Sequence, residues 1–327
     1  MLSAEQMQIA NAVMTRSGNN LAVALPGSGK STTCIAAIVD LLKADRKARP
    51  WMVTFTKAAA VSISSKLKLL LSKKDFDRVG VSTFHAIIGE QYRQLPNAKK
   101  LLLGPKQNIT IANSMMDDGF FGDFQEAKQT IDRETRNLVL SSLSSITRAY
   151  MSRCERQNDT DYNIACREVV LGLRADKVRR LNVTHMIVDE FQDTDQMQVD
   201  LIRYLTGAGE RALCTVGDAQ QSIYRFRGAE VEVFRRQERK VGSSTAPEAT
   251  AAADAPAGEL VKLVRNFRSH DEVLRYVARV FDGDDGGLMQ GFLDLEASDG
   301  RKDTLVADAS RRQALFVAGG STQERTQ

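Results

Sequence analysis

The residues Pro26-Gly27-Ser28-Gly29-Lys30-Ser31-Thr32 have the types and spacing that hold a polyphosphate. Closely set glycines let the backbone curl until its N–H groups and the start of a following helix face an anion; a lysine adds a point charge, and a hydroxyl reaches a magnesium ion. Lys30 and Ser31 are the residues for those two tasks, and an ordinary glycine turn needs no Gly-Lys-Ser succession. The pattern G-x-x-x-x-G-K-[ST] is broken only at its first position, where Ala24 stands. Far downstream, the apolar run Val183 to Val188 leads directly into Asp189-Glu190. Two carboxylates at the end of a buried strand suit phosphoryl transfer, with Asp189 holding magnesium and Glu190 orienting or deprotonating the attacking water. A solvated acidic turn is the alternative, and it accounts for neither the strand nor the loop.

These groups need elements to position them. Leu21 to Leu25 reads as a buried strand, and Ile35, Ile38, Val39 and Leu42 follow the loop at helical spacing. Further strands are expected at Trp51–Phe55, Val79–Ser82, Val183–Val188, Ala212–Val216 and Leu260–Val264. Alternating strand and helix implies an α/β fold with a mostly parallel sheet, helices on both faces and ligands at the carboxyl ends of the strands. From about 86 to 180 strand signals nearly vanish, Val139, Leu143, Ile146 and Tyr150 keep helical spacing, and basic residues crowd Arg167 to Arg180. A helical insertion is expected there, its charges forming either a solvated face or a DNA-facing one.

Punctuation along the chain is readable too. Ser3 followed by Gln6 forms a capping box, which gives Gln6 a purely structural use, and Ser269 with Glu272 forms a second. The stretch from Arg239 to Gly258 has no apolar period and reads as a linker or surface loop. Asp282 to Gly287 reads as a turn, because Leu293 stands where a calcium loop needs its bidentate glutamate. A last strand is expected at Ala314–Ala318.

Composition narrows the class. With 327 residues, 43% hydrophobic and 26% charged, the chain has room for about two domains with a buried core. A net charge of +4 permits nucleic-acid binding without arguing for it. Cys34, Cys154, Cys166 and Cys214 stand far apart without a C-x-x-C pair, which suits reduced thiols and excludes a zinc-ribbon spacing. No apolar run approaches the roughly 20 residues of a membrane span. A cytoplasmic protein is expected.

Asp189-Glu190-Phe191-Gln192-Asp193-Thr194, then Gln221-Ser222-Ile223-Tyr224-Arg225-Phe226-Arg227-Gly228-Ala229, then Asn266-Phe267-Arg268-Ser269, in this order behind the phosphate loop, resemble the UvrD/Rep family of superfamily 1 DNA helicases. That family also supplies the motors of nuclease-helicases. The resemblance spans Gln6 to Ser269 and implies a RecA-like P-loop NTPase that uses ATP and Mg2+. It implies that Gln6 reads the adenine edge, that Pro26 to Thr32 hold the phosphates, and that Ser31 and Asp189 bind the magnesium. Glu190 becomes the catalytic base, Gln221 senses the γ-phosphate, Phe267 stacks on adenine, and Arg268 is an arginine finger. Thr54, Phe55 and Thr56, with Thr83, Phe84, His85 and Arg227, become contacts to single-stranded DNA; Tyr224 and Phe226 also bind DNA and couple that track to the nucleotide. Phe55, Phe84 and Phe226 each follow a predicted strand, where a ring can stack on an unpaired base or pack into the core. Leu25 replaces a usual loop glycine, and Ala58 stands where many members carry lysine.

The expected organisation is a first motor domain formed by 1–85 and 181–258, a helical insertion at 86–180, and the opening of a second motor domain at 259–327. The resemblance implies two further motifs that Gln327 precedes, so the sequence reads as cut short. The expected function is an ATP-dependent helicase or translocase on single-stranded DNA and duplex–single-strand junctions, with 3′ to 5′ polarity. The alternatives are a non-catalytic ATP- and DNA-binding module or the motor part of a nuclease-helicase.

Overall fold

A computed structural model describes residues 2–14, 18–102, 104–140, 143–207, 212–222, 231–243, 258–281 and 295–299. In chain order the first part holds α1 (Ala4–Met14), β1 (Asn19–Ala24), α2 (Lys30–Ala44), β2 (Pro50–Thr54), α3 (Lys57–Leu70), α4 (Lys73–Phe76), β3 (Gly80–Thr83) and α5 (Phe84–Tyr92). There follow β4 (Lys100–Leu101), α6 (Gly104–Asp118), α7 (Phe124–Thr135), α8 (Ser145–Arg156), β5 (Asp159–Thr160) and α9 (Tyr162–Arg174). The last part holds β6 (His185–Val188), α10 (Gln196–Leu205), β7 (Ala212–Gly217), α11 (Val231–Ser243), β8 (Leu260–Leu263), β9 (Arg265–Asn266), α12 (Asp271–Phe281) and β10 (Glu296–Ala297).

Six strands form one sheet in the order β3-β2-β6-β7-β1-β8, and every pairing in it is parallel. Parallel strands need cover on both faces, which is why β1, β2, β6 and β7 read as near-continuous apolar runs. On one face Ile9 and Val13 of α1, Ile35 and Ile38 of α2, and Ile63 and Leu67 of α3 share a core with Ala22, Met52, Ile187, Val216 and Val261. The register sets the functional edge. Thr54 lies opposite Thr83, Val53 opposite Val188, and Val23 opposite Gly217, so the segments leaving β3, β2, β6, β7 and β1 emerge side by side.

The insertion has a small core of its own, in which Leu102, Ile111, Ala127, Ile131, Ile146, Tyr150, Cys154 and Ile164 come together. The helix expected through Val139 begins only at Ser145, capped by the Ser144 hydroxyl; Val139 is 73% exposed. Helical spacing at that position was coincidental. The two short strands β4 and β5 close the insertion and were not legible as apolar runs. Part of the basic stretch is occupied structurally: Arg167 Nε donates to the Leu138 carbonyl at 3.1 Å, and the Arg174 guanidinium sits 5.8 Å from the centre of the Tyr204 ring. The four cysteines are free and buried.

The chain divides into two compact units, 1–263 and 264–327. Leu260–Leu263, expected to open a second motor domain, is instead the edge strand of the first sheet, paired with β1 from Leu21 to Ala24. The first residues of the expected linker are helical, because α11 runs to Ser243. In the second unit β9 pairs with β10, and the Asn266 side chain accepts from the backbone N–H groups of Arg268 and Ser269 at 2.8 and 2.7 Å. Its helix begins at Asp271, which places the second expected capping box one residue short of the helix. Tyr224, Phe226, Arg227, most of the expected linker, the Asp282–Gly287 turn and the Ala314–Ala318 strand lie outside the described residues. Among the described residues no helix is long and apolar enough to cross a membrane.

Candidate active site

The loop between β1 and α2 is shaped by its glycines. Gly27 and Gly29 take φ values of 71° and 84°, a left-handed conformation that costs a residue with a Cβ about 1–2 kcal/mol. Gly29 is the N-cap of α2, and Thr33 donates to its carbonyl from both backbone and hydroxyl. Ser28 is buried, and its hydroxyl donates to the Leu25 carbonyl at 2.7 Å. The helix therefore starts with Lys30, Ser31 and Thr32 in its first turn, Thr32 exposed.

The two sequence-distant groups meet here. Lys30 Nζ lies 3.4 Å from Glu190 Oε2, and Ser31 Oγ donates to Asp189 Oδ2 at 3.1 Å. Asp189 ends β6 with its backbone N–H bonded to the Val53 carbonyl. Glu190 adopts a left-handed backbone (φ 55°, ψ 43°), unusual for a residue with a side chain, and this turns its carboxylate back toward Lys30. Burial, then the neighbouring Glu190 charge, push the Asp189 carboxyl up to about 6, against the lowering effect of Lys30 and Ser31. The same two causes push Asp193 up to about 6, and its Oδ1 meets no hydrogen-bond partner among the described residues.

A third layer was missed by sequence reasoning. Gln192 Nε2 donates to Glu190 Oε2 at 2.8 Å, while its Oε1 accepts from the backbone N–H of Asp218 at 2.9 Å. The Asp218 carboxylate accepts from the Gln220 backbone at 2.9 Å and from Gln221 Nε2 at 2.7 Å. Burial raises the Asp218 carboxyl above its ordinary range. Both residues stand beside expected site residues, a glutamine two beyond Glu190 and an aspartate three before Gln221, but no spacing rule links positions 192 and 218.

Gln6 forms the expected capping box and also reaches the phosphate loop. Its Oε1 accepts from the Ser3 backbone N–H at 3.0 Å, its own backbone N–H donates to Ser3 Oγ at 3.2 Å, and its Nε2 donates to the Ser28 carbonyl at 3.0 Å. The capping box is thus formed and also tied to the phosphate loop.

The expected DNA-contacting residues divide. Thr54 is buried, Phe55 half-buried and Thr56 exposed, the last capping α3 through the Ala59 N–H. Thr83 caps α5 through the Ala86 N–H, and His85 is exposed with its ring edge-on to Tyr162, centroids 4.4 Å apart. Phe84 is 3% exposed. It offers no face to a base, so the core reading of Phe84 replaces the stacking one. Phe267 and Arg268 are exposed in the second unit, between β9 and α12.

The donor set fits magnesium. One carboxylate and one hydroxyl, both hard oxygens, are what a cation needs when most of its remaining ligands are water and phosphate. Among the described residues no cluster of three or more His, Cys, Asp or Glu could hold a metal by itself.

A family model for the UvrD/REP helicase N-terminal domain matches residues 2–143 and 120–242. The ATP-dependent DNA helicase UvrD1 of Mycobacterium leprae is 27% identical, over 93% of this chain and 44% of its own length. DNA helicase II of Escherichia coli K12 is 26% identical, over 85% and 40% respectively. ATP-dependent DNA helicase PcrA of Leuconostoc citreum is 26% identical, over 81% and 37%. The chain spans about two fifths of the length of these relatives.

Proposed function

Because the chain belongs to the UvrD/REP helicase family, we propose that it binds ATP with Mg2+ and hydrolyses it in response to single-stranded DNA, as the nucleotide-binding part of a 3′ to 5′ DNA helicase. The observation that carries this reading is the convergence of Lys30, Ser31, Asp189 and Glu190 at the carboxyl ends of β1 and β6. Lys30 and the N–H groups of the loop hold the β- and γ-phosphates. Ser31 and Asp189 would hold a magnesium ion, which when bound would supply positive charge beside the phosphates. Gln192 holds Glu190 Oε2, so Oε1 takes the proton from the attacking water. Pro26, Gly27, Ser28, Gly29 and Thr32 line the phosphates, Gln6 takes the adenine, and Gln221 acts at the γ-phosphate.

For DNA, the reading rests on the side-by-side ends of β2 and β3. Phe55 and Thr56, with Thr83 and His85, border a track on which an unpaired strand lies. Duplex–single-strand junctions are the natural substrate of such a motor, and the cytoplasm its compartment. A non-catalytic ATP- and DNA-binding module needs neither Glu190 nor the hydrogen bonds that support it. The test is phosphate release by the purified chain with magnesium and ATP, with and without a single-stranded oligonucleotide. DNA-stimulated release is expected; ATP binding without release would favour the binding module.

A further inference from the structure

The carboxamide of Gln192 joins two turns that sequence separates. It is 2% exposed, with its donor on Glu190 Oε2 and its acceptor on the Asp218 N–H. Its own carbonyl accepts from the Ser222 hydroxyl at 3.3 Å. Asp218 in turn holds Gln221, so an unbroken chain of hydrogen bonds runs from Glu190 through Gln192 and Asp218 to Gln221. Space for the bridge exists only because position 217 is glycine. A Cβ there would stand 2.5 Å from Gln192 Oε1, 2.9 Å from the Phe234 ring and 3.1 Å from the Gln192 backbone nitrogen.

We propose that Gln192 is a positioning residue for ATP hydrolysis: its carboxamide fixes the Glu190 carboxylate and ties it to the turn that carries Gln221. The inference rests on the reading of Glu190 as the base. Only an amide serves, because one end must donate to a carboxylate while the other accepts from a backbone N–H. Glutamate at 192 keeps the acceptor and sets a second carboxylate against Glu190. Methionine keeps the approximate shape and removes both bonds. Glu190 holds a left-handed backbone with its side chain 35% exposed, so without the bridge its carboxylate is free to swing toward water. Misplacement by about 1 Å can cost roughly a hundredfold in rate.

The test is single-turnover ATP hydrolysis, with enzyme in excess over ATP and single-stranded DNA present, on the wild type, Gln192→Met, Glu190→Gln and the double variant, beside ATP affinity for each. Gln192→Met is expected to slow hydrolysis by about 10- to 100-fold while ATP affinity stays within about twofold. Added to Glu190→Gln it is expected to cost nothing more, since it acts through Glu190. Gln192→Glu should reproduce the slow rate, and serves alone if the methionine variant does not fold. An unchanged rate in Gln192→Met, an equal loss in affinity and rate, or a further multiplicative loss in the double variant would each overturn the proposal. Full-speed hydrolysis by Glu190→Gln has a different meaning: it removes the base assignment, and the proposal with it.

Discussion

Lys30 Nζ sits 3.4 Å from Glu190 Oε2, so before any nucleotide arrives the lysine of the phosphate loop is paired with the carboxylate at the end of β6. A triphosphate brings more charge to Lys30 than one carboxylate does, so binding exchanges the partner of Lys30 and releases Glu190 to face water. Lys30→Ala removes a charge-assisted contact worth about 1.5–3 kcal/mol. Titration with a fluorescent ATP analogue should show affinity lowered by roughly 10- to 100-fold. An affinity within twofold of wild type would mean that Lys30 serves Glu190 and not phosphate.

The two phenylalanines that follow β2 and β3 should behave differently although they occupy equivalent places. Phe55 is half-buried at the end of β2, whereas Phe84 is enclosed. Phe55→Ala should weaken single-stranded DNA binding by about tenfold, one stacked base being worth roughly 1–3 kcal/mol. Phe84→Ala should instead cost about 3–5 kcal/mol of stability. Fluorescence anisotropy with labelled oligonucleotides and thermal denaturation separate the two, and reversed effects would exchange the assignments.

Much of this could be seen in the residues themselves. Buried parallel strands must be apolar throughout, so β1, β2, β6 and β7 stood out, and phosphate chemistry restricts the loop to few residue types. Phe84 was ambiguous because a ring after a strand looks the same whether it turns inward or outward. The strand at Leu260–Leu263 was recognised but placed in the wrong sheet, since its partner β1 lies more than 230 residues earlier and pairing leaves no local trace. Gln192 was invisible for a related reason: its importance comes from contact with the Asp218 backbone, 26 residues away, which no spacing rule encodes.

Two buried carboxyls predict how stability depends on pH. Asp189 and Asp193 are each pushed up to about 6, above the ordinary value for an unfolded chain of about 3.9. Between those values the folded state holds protons that the unfolded state has released, so stability falls as pH rises from about 4 through 6. The metal-free chain should therefore melt a few degrees lower at pH 7 than at pH 5. Asp193→Asn should flatten that slope, because an amide has no proton to lose. A melting temperature that rises over this range in both proteins would contradict the assignment.

Gln6 has its two amide atoms on Ser3 and on the Ser28 carbonyl, which makes it a brace for the phosphate loop as well as the candidate reader of adenine. Gln6→Ala should lower stability by about 1–2 kcal/mol through the lost side-chain bonds to the Ser3 N–H and the Ser28 carbonyl. If it also reads the base, the preference for ATP over GTP should shrink by about tenfold, the worth of one good hydrogen bond. Competition between the two nucleotides measures this. Lower stability with an unchanged preference would leave Gln6 as a cap alone.

Lys30, Ser31, Asp189 and Glu190 are together expected to hydrolyse ATP, with Glu190 acting on the water. The most direct measurement is phosphate release by Glu190→Gln at an ATP concentration shown by titration to saturate it. General-base catalysis contributes about 10²- to 10⁴-fold, so release should fall by that factor with ATP affinity unchanged. Release at the wild-type rate from a saturated Glu190→Gln protein would contradict the account.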